Sequence, residues 1–137
     1  MRHEPCAMSS WQTEKEAPLV EQIKSYLDLI TWQKGMDLVV RVYRETANLS
    51  PSERFGLISQ MRRCAVSVPS NIAEGWGRGA RQDYIRFLRT ARGSLYERST
   101  QADICKRLTL AGDWDAIMNM VDDVRRLLHG LIRSLEQ

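Results

Sequence analysis

Histidine, cysteine and long apolar runs are scarce in this sequence, and each shortage argues against a class of protein. No apolar run approaches the roughly 20 residues that a membrane-spanning helix needs, and residues 1–11 lack the apolar core of a secretory signal. The three cysteines, Cys6, Cys64 and Cys105, are an odd number without a C-x-x-C pair, so we expect neither a disulfide framework nor a zinc site. These absences indicate a protein of the reducing cytoplasm.

Groups for catalysis are equally scarce. Of the two histidines, His3 lies near the start of the chain and His129 lies in a segment that is otherwise apolar or acidic. Neither suggests a Ser-His-Asp or Cys-His arrangement. The carboxylates Glu74 and Asp83 lack the Glu-x-x-His spacing of a di-iron bundle. We therefore predict a protein that is not an enzyme and that holds no cofactor and no metal.

The chain does have the length and composition of one globular domain. It has 137 residues, of which 43% are hydrophobic and 27% are charged. Residues 1–27 are polar and weakly periodic, so we predict a mobile extension there and a single helical domain over residues 28–137. No segment alternates apolar and polar residues with a period of two, so no sheet is predicted.

Four segments carry apolar residues at steps of three and four, which is typical of helices that bury one face. The four stripes are Leu29, Trp32, Met36, Val39 and Tyr43; Phe55, Ile58, Met61, Ala65, Val68 and Ile72; Tyr84, Leu88, Ala91, Leu95 and Ala102; and Ile117, Val121, Val124, Leu128, Leu131 and Leu135. Four such helices with short turns favour an all-α fold, an antiparallel up-down four-helix bundle.

Local signals predict where these helices begin, bend and end. Residues 50–53 (SPSE) have the pattern of a capping box with proline at N1, and Asp113 is a suitable cap for the fourth helix. Pro69 interrupts the second stripe and predicts a kink in helix two, because proline removes one backbone hydrogen bond. The glycines of residues 75–79 (GWGRG) lack the spacing of a phosphate loop and indicate a helix end and a turn. Gly93, inside helix three, suggests that another backbone approaches closely.

Positive charge is concentrated in the middle of the chain. Residues 54–107 carry eleven Lys/Arg against four Asp/Glu, a net charge of +7, whereas residues 1–53 and 108–137 each carry −2. Ten of the eleven cations are arginine, whose planar fork suits bidentate contacts. The segment fits an anionic partner such as nucleic acid. It equally fits a solvated face, or arginines paired with the acidic flanks.

A helical wheel of helix three separates its arginines from its apolar stripe. With Arg81 at zero and 100° per residue, the other arginines before residue 93 fall at about 20° to 140°, and the stripe at about 280° to 340°. Ile85 and Tyr96 fall within the arginine fan, so this face suits either nucleic acid or a subunit interface. The candidate nucleic-acid-binding residues are Arg62, Arg63, Arg78, Arg81, Arg86, Arg89 and Arg92, and the candidate oligomer-interface residues are Ile85 and Tyr96.

Several stretches carry a more specific pattern. They are residues 32–39 (WQKGMDLV), 50–57 (SPSERFGL), 60–75 (QMRRCAVSVPSNIAEG) and 87–97 (FLRTARGSLYE). Together they resemble the four-helix-bundle family of proteins encoded in intervening sequences of 23S ribosomal RNA, over about residues 25–137. The positions that match the family signature are Ser67, Pro69, Asn71, Glu74, Gly75, Gly93, Ser94 and Glu97.

The resemblance implies a cytosolic bundle that assembles into a ring, commonly a homopentamer, and it supplies no catalytic residues. A related group, the accessory proteins of diversity-generating retroelements, is basic and is associated with a reverse transcriptase and nucleic acid. RNA, DNA or a reverse-transcriptase-like protein are therefore the partners that the resemblance implies. One departure is Arg98, which stands where the family pattern resembles a leucine, and we expect it to reach solvent or to pair with a carboxylate.

Two functions remain open at this point. The first is a non-enzymatic, ring-forming cytosolic bundle that binds nucleic acid, or a nucleic-acid-associated partner, through its Arg-rich surface. The alternative is an oligomeric protein–protein adaptor whose basic helix lies in the subunit interface.

Overall fold

The computed structural model describes residues 23–137, and within this range the chain is helical without a strand. The α-helices are α1 (Ile30–Thr46), α2 (Ser59–Gly77), α3 (Arg81–Arg107) and α4 (Trp114–Glu136). A 3-10 turn (Tyr26–Asp28) precedes α1, and a second 3-10 turn (Pro51–Glu53) and a π-helical turn (Arg54–Ile58) join α1 to α2. The all-α, four-helix prediction is confirmed. None of these helices is both long and apolar enough to cross a bilayer.

The four helices surround one apolar core, because each packs against its neighbours in the chain and α1 also packs against α4. The buried residues of α4 are Trp114, Ile117, Val121, Val124, Leu128, Ile132 and Leu135. They follow the predicted stripe except that Ile132 is buried where Leu131 was expected. Asp113 caps α4 as predicted, since its Oδ1 accepts a hydrogen bond from the Ala116 amide at 3.1 Å.

The face that α1 buries differs from the predicted stripe. Its buried residues are Thr31, Gly35, Leu38, Val42 and Thr46. Met36 and Tyr43 of the predicted stripe are instead 39% and 42% exposed. The buried face carries smaller side chains than the predicted stripe, and α2 lies close to it: a Cβ built on Gly35 would be 3.6 Å from Val68 Cγ1. A more apolar flank of α1 is thus left at the surface.

The beginning of α2 also differs from the prediction. The Ser50 hydroxyl accepts a hydrogen bond from the amide of Ser52, at 3.3 Å, and only a 3-10 turn follows. Gly56 then has a non-helical backbone (φ −99°, ψ −105°), and α2 begins at Ser59. The predicted helix start at the capping box is therefore wrong. Phe55 of the predicted stripe is 90% exposed as a result.

The later part of α2 agrees with the sequence. The helix continues through Pro69 without a break, and the kink itself stays a prediction. The helix ends at Gly77, and Gly79 adopts a positive φ of 75°, so the glycine run does form a helix end and a turn. At Gly75 the helices approach closely, because an added Cβ would lie only 2.8 Å from Phe87 Cβ on α3.

Gly93 does not play the predicted packing role. It is exposed, and a Cβ built there would meet nothing within 4 Å among the described residues. The expectation that another part of the chain approaches Gly93 is therefore wrong.

Arg98 neither reaches solvent nor pairs with a carboxylate, so both expectations for it are wrong. It is fully buried: its Nη2 donates to Gln101 Oε1, while Nε and Nη1 have no hydrogen-bond partner among residues 23–137. Burial follows because α2 covers this side of α3, where the Cys64 thiol donates to the Ser94 carbonyl at 3.0 Å. Burial lowers the pKa of the Arg98 guanidinium and raises the pKa of the Cys64 thiol.

The first described residues already contact the bundle. Ile23 is buried in the core, and Ser25 caps the 3-10 turn before α1 by accepting a hydrogen bond from the Leu27 amide at 3.2 Å. The rest of the predicted extension, residues 1–22, lies outside the described residues, so its mobility stays a prediction.

Candidate nucleic-acid interface

The outer face of α3 consists of the residues that point away from the core in the first five turns of the helix. Its exposed members are Gln82, Arg86, Arg89, Thr90, Gly93, Tyr96 and Glu97. Arg86 and Arg89 border an open depression of about 570 Å³, together with Gln82, Asp83 and Thr90. The sequence predicted the two arginines but not Gln82 and Thr90, although both fall on the same side of the helical wheel.

Both central arginines form ion pairs at the surface. Arg86 Nη2 lies 3.1 Å from Asp83 Oδ1, and Arg89 Nη2 lies 3.2 Å from Glu136 Oε2 at the end of α4. The two arginine side chains nevertheless remain 66% and 52% exposed. Exposed pairs of this kind contribute about 0–1 kcal/mol, so a phosphate can replace the carboxylate at little expense in free energy.

An aromatic ring orders the arginines at the α2–α3 turn. The guanidinium carbons of Arg78 and Arg86 lie 5.2 and 5.0 Å from the centroid of the Phe87 ring. Arg78 also pairs with Glu74 at 3.0 Å, and this pair is exposed too. The turn thus extends the basic surface that begins on α3.

The remaining candidates on α3 are less accessible. Arg81 and Arg92 are half-buried, and the Nε atom of Arg81 is buried and has no hydrogen-bond partner among the residues that the structure describes. Tyr96 is 57% exposed, in keeping with a surface role. Ile85 is only 4% exposed and belongs to the core, so its prediction as an interface residue is wrong. The reason is that α4 covers this side of α3, as the ion pair of Arg89 with α4 shows.

The arginines of α2 lie apart from this surface. Arg63 is exposed near the start of α2, about 22 Å along the helix from Arg78. Arg62 packs against α1: its guanidinium carbon is 4.5 Å from the Tyr43 ring centroid, and its Nε donates to Thr46 Oγ1 at 2.9 Å. The structure therefore groups five of the seven candidate arginines, Arg78, Arg81, Arg86, Arg89 and Arg92.

Most of the signature positions lie where α2 meets α3. Ser67 Oγ donates to Ser94 Oγ at 2.6 Å, and Asn71 Nδ2 donates to the Ser67 carbonyl at 2.7 Å. Glu74 accepts from Arg78, and Gly75 allows the close approach to Phe87 described above. The exceptions are Pro69, which lies against Gly35 of α1, and the exposed Gly93 and Glu97. These positions explain how the two helices fit together rather than a chemical reaction.

A second surface feature is an apolar groove of about 300 Å³ between α1 and α2. The residues that line it are Tyr26, Trp32, Met36, Val39, Val66, Pro69, Ser70 and Ala73. The sequence assigned three of these side chains to the core stripe of α1. They border the groove instead because α1 turns a different face, the one with smaller side chains, toward the core.

Comparisons with known proteins agree with this fold. A family model described as 23S rRNA-intervening sequence protein matches residues 27–130. A solved structure described as a protein of unknown function from the S23 ribosomal protein family of Bacteroides thetaiotaomicron is 21% identical, with a TM-score of 0.70. That similarity covers 76% of this chain and 96% of the other, and it concerns the fold alone. The comparison with curated proteins finds no match.

Proposed function

This chain belongs to the 23S rRNA-intervening sequence protein family, and from that premise we propose that it is a non-enzymatic cytoplasmic protein that binds nucleic acid. The outer face of α3 is the binding surface. The observation that carries the proposal is the exposed pair Arg86 and Arg89 on one depression, within a segment of net charge +7.

Binding follows from the chemistry of these side chains. A guanidinium donates two parallel hydrogen bonds to a phosphate, and each neutralised phosphate releases condensed counterions. Arg86 and Arg89 pair with Asp83 and Glu136 in the free protein, and each pair contributes so little to stability that a phosphate can replace the carboxylate. Arg78, held beside Phe87, adds a third guanidinium at the edge of the depression.

A filter-binding experiment tests the proposal. Wild-type protein should retain RNA or DNA at low salt, and the Arg86→Ala/Arg89→Ala variant should bind at least tenfold more weakly. The matched control is Arg125→Ala/Arg126→Ala, which removes the same charge from α4, where Arg125 pairs with Asp122. Wild-type protein that binds neither RNA nor DNA at low salt contradicts the proposal, and so does an equal loss of affinity in both variants.

We also propose the antiparallel up-down order of the helices. Two contacts support it: Gly75 near the end of α2 lies against Tyr84 near the start of α3, and Met61 near the start of α2 lies 3.6 Å, sulfur to sulfur, from Cys105 near the end of α3.

A ring of identical chains, with a homopentamer favoured, is the second part of the proposal. The apolar groove between α1 and α2 is the surface that supports it, with a second copy as its occupant. Each chain carries that groove and also exposes Ile104 and Leu108 at the end of α3, by 42% and 59%. The end of α3 in one chain can therefore pack into the groove of the next identical chain. Light scattering should give about five times the chain mass of 15.8 kDa, and Val66→Glu in the groove should reduce it. A wild-type mass of one chain contradicts this part.

The exposed Tyr96 beside Arg86 and Arg89 favours a second candidate function, an adaptor whose basic helix lies in the subunit interface and which binds no nucleic acid. That function predicts no salt-sensitive binding by the wild type, and dissociation of the ring by Arg86→Ala/Arg89→Ala. A reverse-transcriptase-like partner stays a prediction for either function.

A further inference from the structure

Gly93 is a glycine that the chain itself does not need. It lies inside a 27-residue helix, where glycine is the least favourable residue after proline. An added Cβ at Gly75 or Gly35 would meet side chains of a neighbouring helix, but one at Gly93 would meet no atom of the described part of the chain within 4 Å. The packing of the described chain gives no reason for its missing side chain. Gly130 in α4 is equally bare, so the glycine alone indicates no ligand; what sets Gly93 apart is its position between an exposed arginine and an exposed tyrosine.

The neighbours of Gly93 indicate the kind of molecule that binds there. Arg89, four residues before it, and Tyr96, three residues after it, are its neighbours on the helix surface. Both side chains are more than half exposed, and they are separated by about 10 Å along the helix axis. Gly93 is thus a bare strip of backbone between an exposed guanidinium and an exposed aromatic ring.

We propose that this strip binds single-stranded nucleic acid. Arg89 binds a phosphate, the sugar-phosphate backbone passes over Gly93, and an unpaired base stacks on the Tyr96 ring. Exposed aromatic rings beside cationic groups bind single strands in this way, because every base has a face that can stack. A duplex keeps its bases stacked on each other and offers no such face to Tyr96.

A second copy of this chain fits the strip less well. A protein interface here would bury Glu97 beside Arg86 and Arg89, and although arginine is common in protein interfaces, glutamate is depleted there. A nucleic acid instead brings the negative charges that the two arginines can bind, while Glu97 stays in water at the edge of the outer face of α3.

The inference rests on the proposed function, and the experiment separates the two. The full-length protein is titrated at low salt with a labelled 20-nucleotide oligo-uridylate and with a labelled 20-base-pair RNA duplex. Tyr96→Ala should weaken binding of the single strand by about 5- to 100-fold and should leave duplex binding within twofold. Tyr96→Phe, which keeps the ring, should bind like the wild type.

Gly93→Ala provides a second readout with a matched control. The alanine should raise the thermal unfolding midpoint, because it favours the helix, and should weaken binding of the single strand at least threefold. Gly130→Ala is the control, since Gly130 is an exposed glycine inside α4 where an added Cβ also meets nothing within 4 Å. It should raise the midpoint and leave binding unchanged.

Three results would overturn the inference. One is unchanged binding of the single strand by Tyr96→Ala and Gly93→Ala, while Arg86→Ala/Arg89→Ala still loses it; the proposed function then stands without the stacking site. Another is a wild type that binds neither probe, which removes both proposals. The third is a change of mass in Gly93→Ala by light scattering with unchanged binding, which assigns the strip to a contact between copies.

Discussion

Helices α3 and α4 pack against each other in one bundle, but they follow different rules. The α4 seam, formed by Ile117, Val121, Val124, Leu128, Ile132 and Leu135, is apolar throughout and begins at a side-chain cap. Helix α3 buries Arg98 and Gln101 among its apolar residues and begins without a side-chain cap. Along α4 the apolar periodicity of the sequence, the helix cap and the buried residues all agree. Helix α3 departs from this agreement in two ways, and such departures are expected at functional sites.

The comparison indicates that α4 serves mainly the stability of the fold, whereas the residues of α3 also serve another role. The α4 seam contributes burial without polar groups. In α3 the Arg98 guanidinium is removed from water with two donors unpaired, which is unfavourable for folding. The outer face of the same helix bears the arginines of the proposed binding surface. Changes in the two helices should therefore affect stability in opposite directions.

The largest expected effect is a loss of stability from truncation in the α4 seam. Leu128→Ala should lower the free energy of unfolding by about 2–5 kcal/mol, because it removes a fully buried side chain and leaves a cavity. Urea denaturation followed by circular dichroism measures this. Leu131→Ala, on the half-buried flank of α4, should lower it less. Equal losses from the two variants would contradict the assigned seam.

A gain in stability is expected at Arg98. Arg98→Leu should raise the free energy of unfolding by about 1–4 kcal/mol, because it replaces a buried charge that has no carboxylate partner with an apolar side chain. Arg92→Leu, at a half-buried position of the same helix, should change it by less than about 0.5 kcal/mol. A destabilised Arg98→Leu protein would show that the guanidinium is satisfied in a way the contacts do not include.

The smallest effects come from two glycines, and their signs should differ. Gly75→Ala should destabilise by about 1–3 kcal/mol, because its Cβ would lie 2.8 Å from Phe87 Cβ. Gly93→Ala should stabilise by about 0.5–1 kcal/mol, because its Cβ meets no neighbour. Thermal and urea unfolding of both variants check this pair. The same sign in both would contradict the packing described for α2 and α3.

Much of the fold follows from sequence periodicity, and the exceptions have physical causes. The buried stripes of α3 and α4 and the Asp113 cap are local patterns, so the sequence predicts them. The buried face of α1 is not local, since Gly35 is buried only because α2 comes close to it. Ile85 is buried by α4 in the same way.

The candidate site was predictable in part for the same reason. The helical wheel places Arg86 and Arg89 on the outer face of α3, because that depends on helix geometry alone. The ion pair of Arg89 with Glu136 joins residues 47 positions apart and has no local signal. The separation of Arg63 from the basic surface likewise depends on the length of α2, because Arg63 lies near the start of that helix and the basic surface lies at its end.

The salt dependence of nucleic-acid affinity tests the central claim most directly. If Arg78, Arg86 and Arg89 each neutralise one phosphate, log affinity should fall against log salt with a slope of about −2.7 for a duplex and about −2.1 for a single strand. Arg86→Ala/Arg89→Ala should reduce that slope by about two-thirds, while Arg125→Ala/Arg126→Ala should keep it. A slope that the Arg86→Ala/Arg89→Ala variant leaves unchanged, or that both double variants reduce equally, would contradict the claim that α3 is the binding surface.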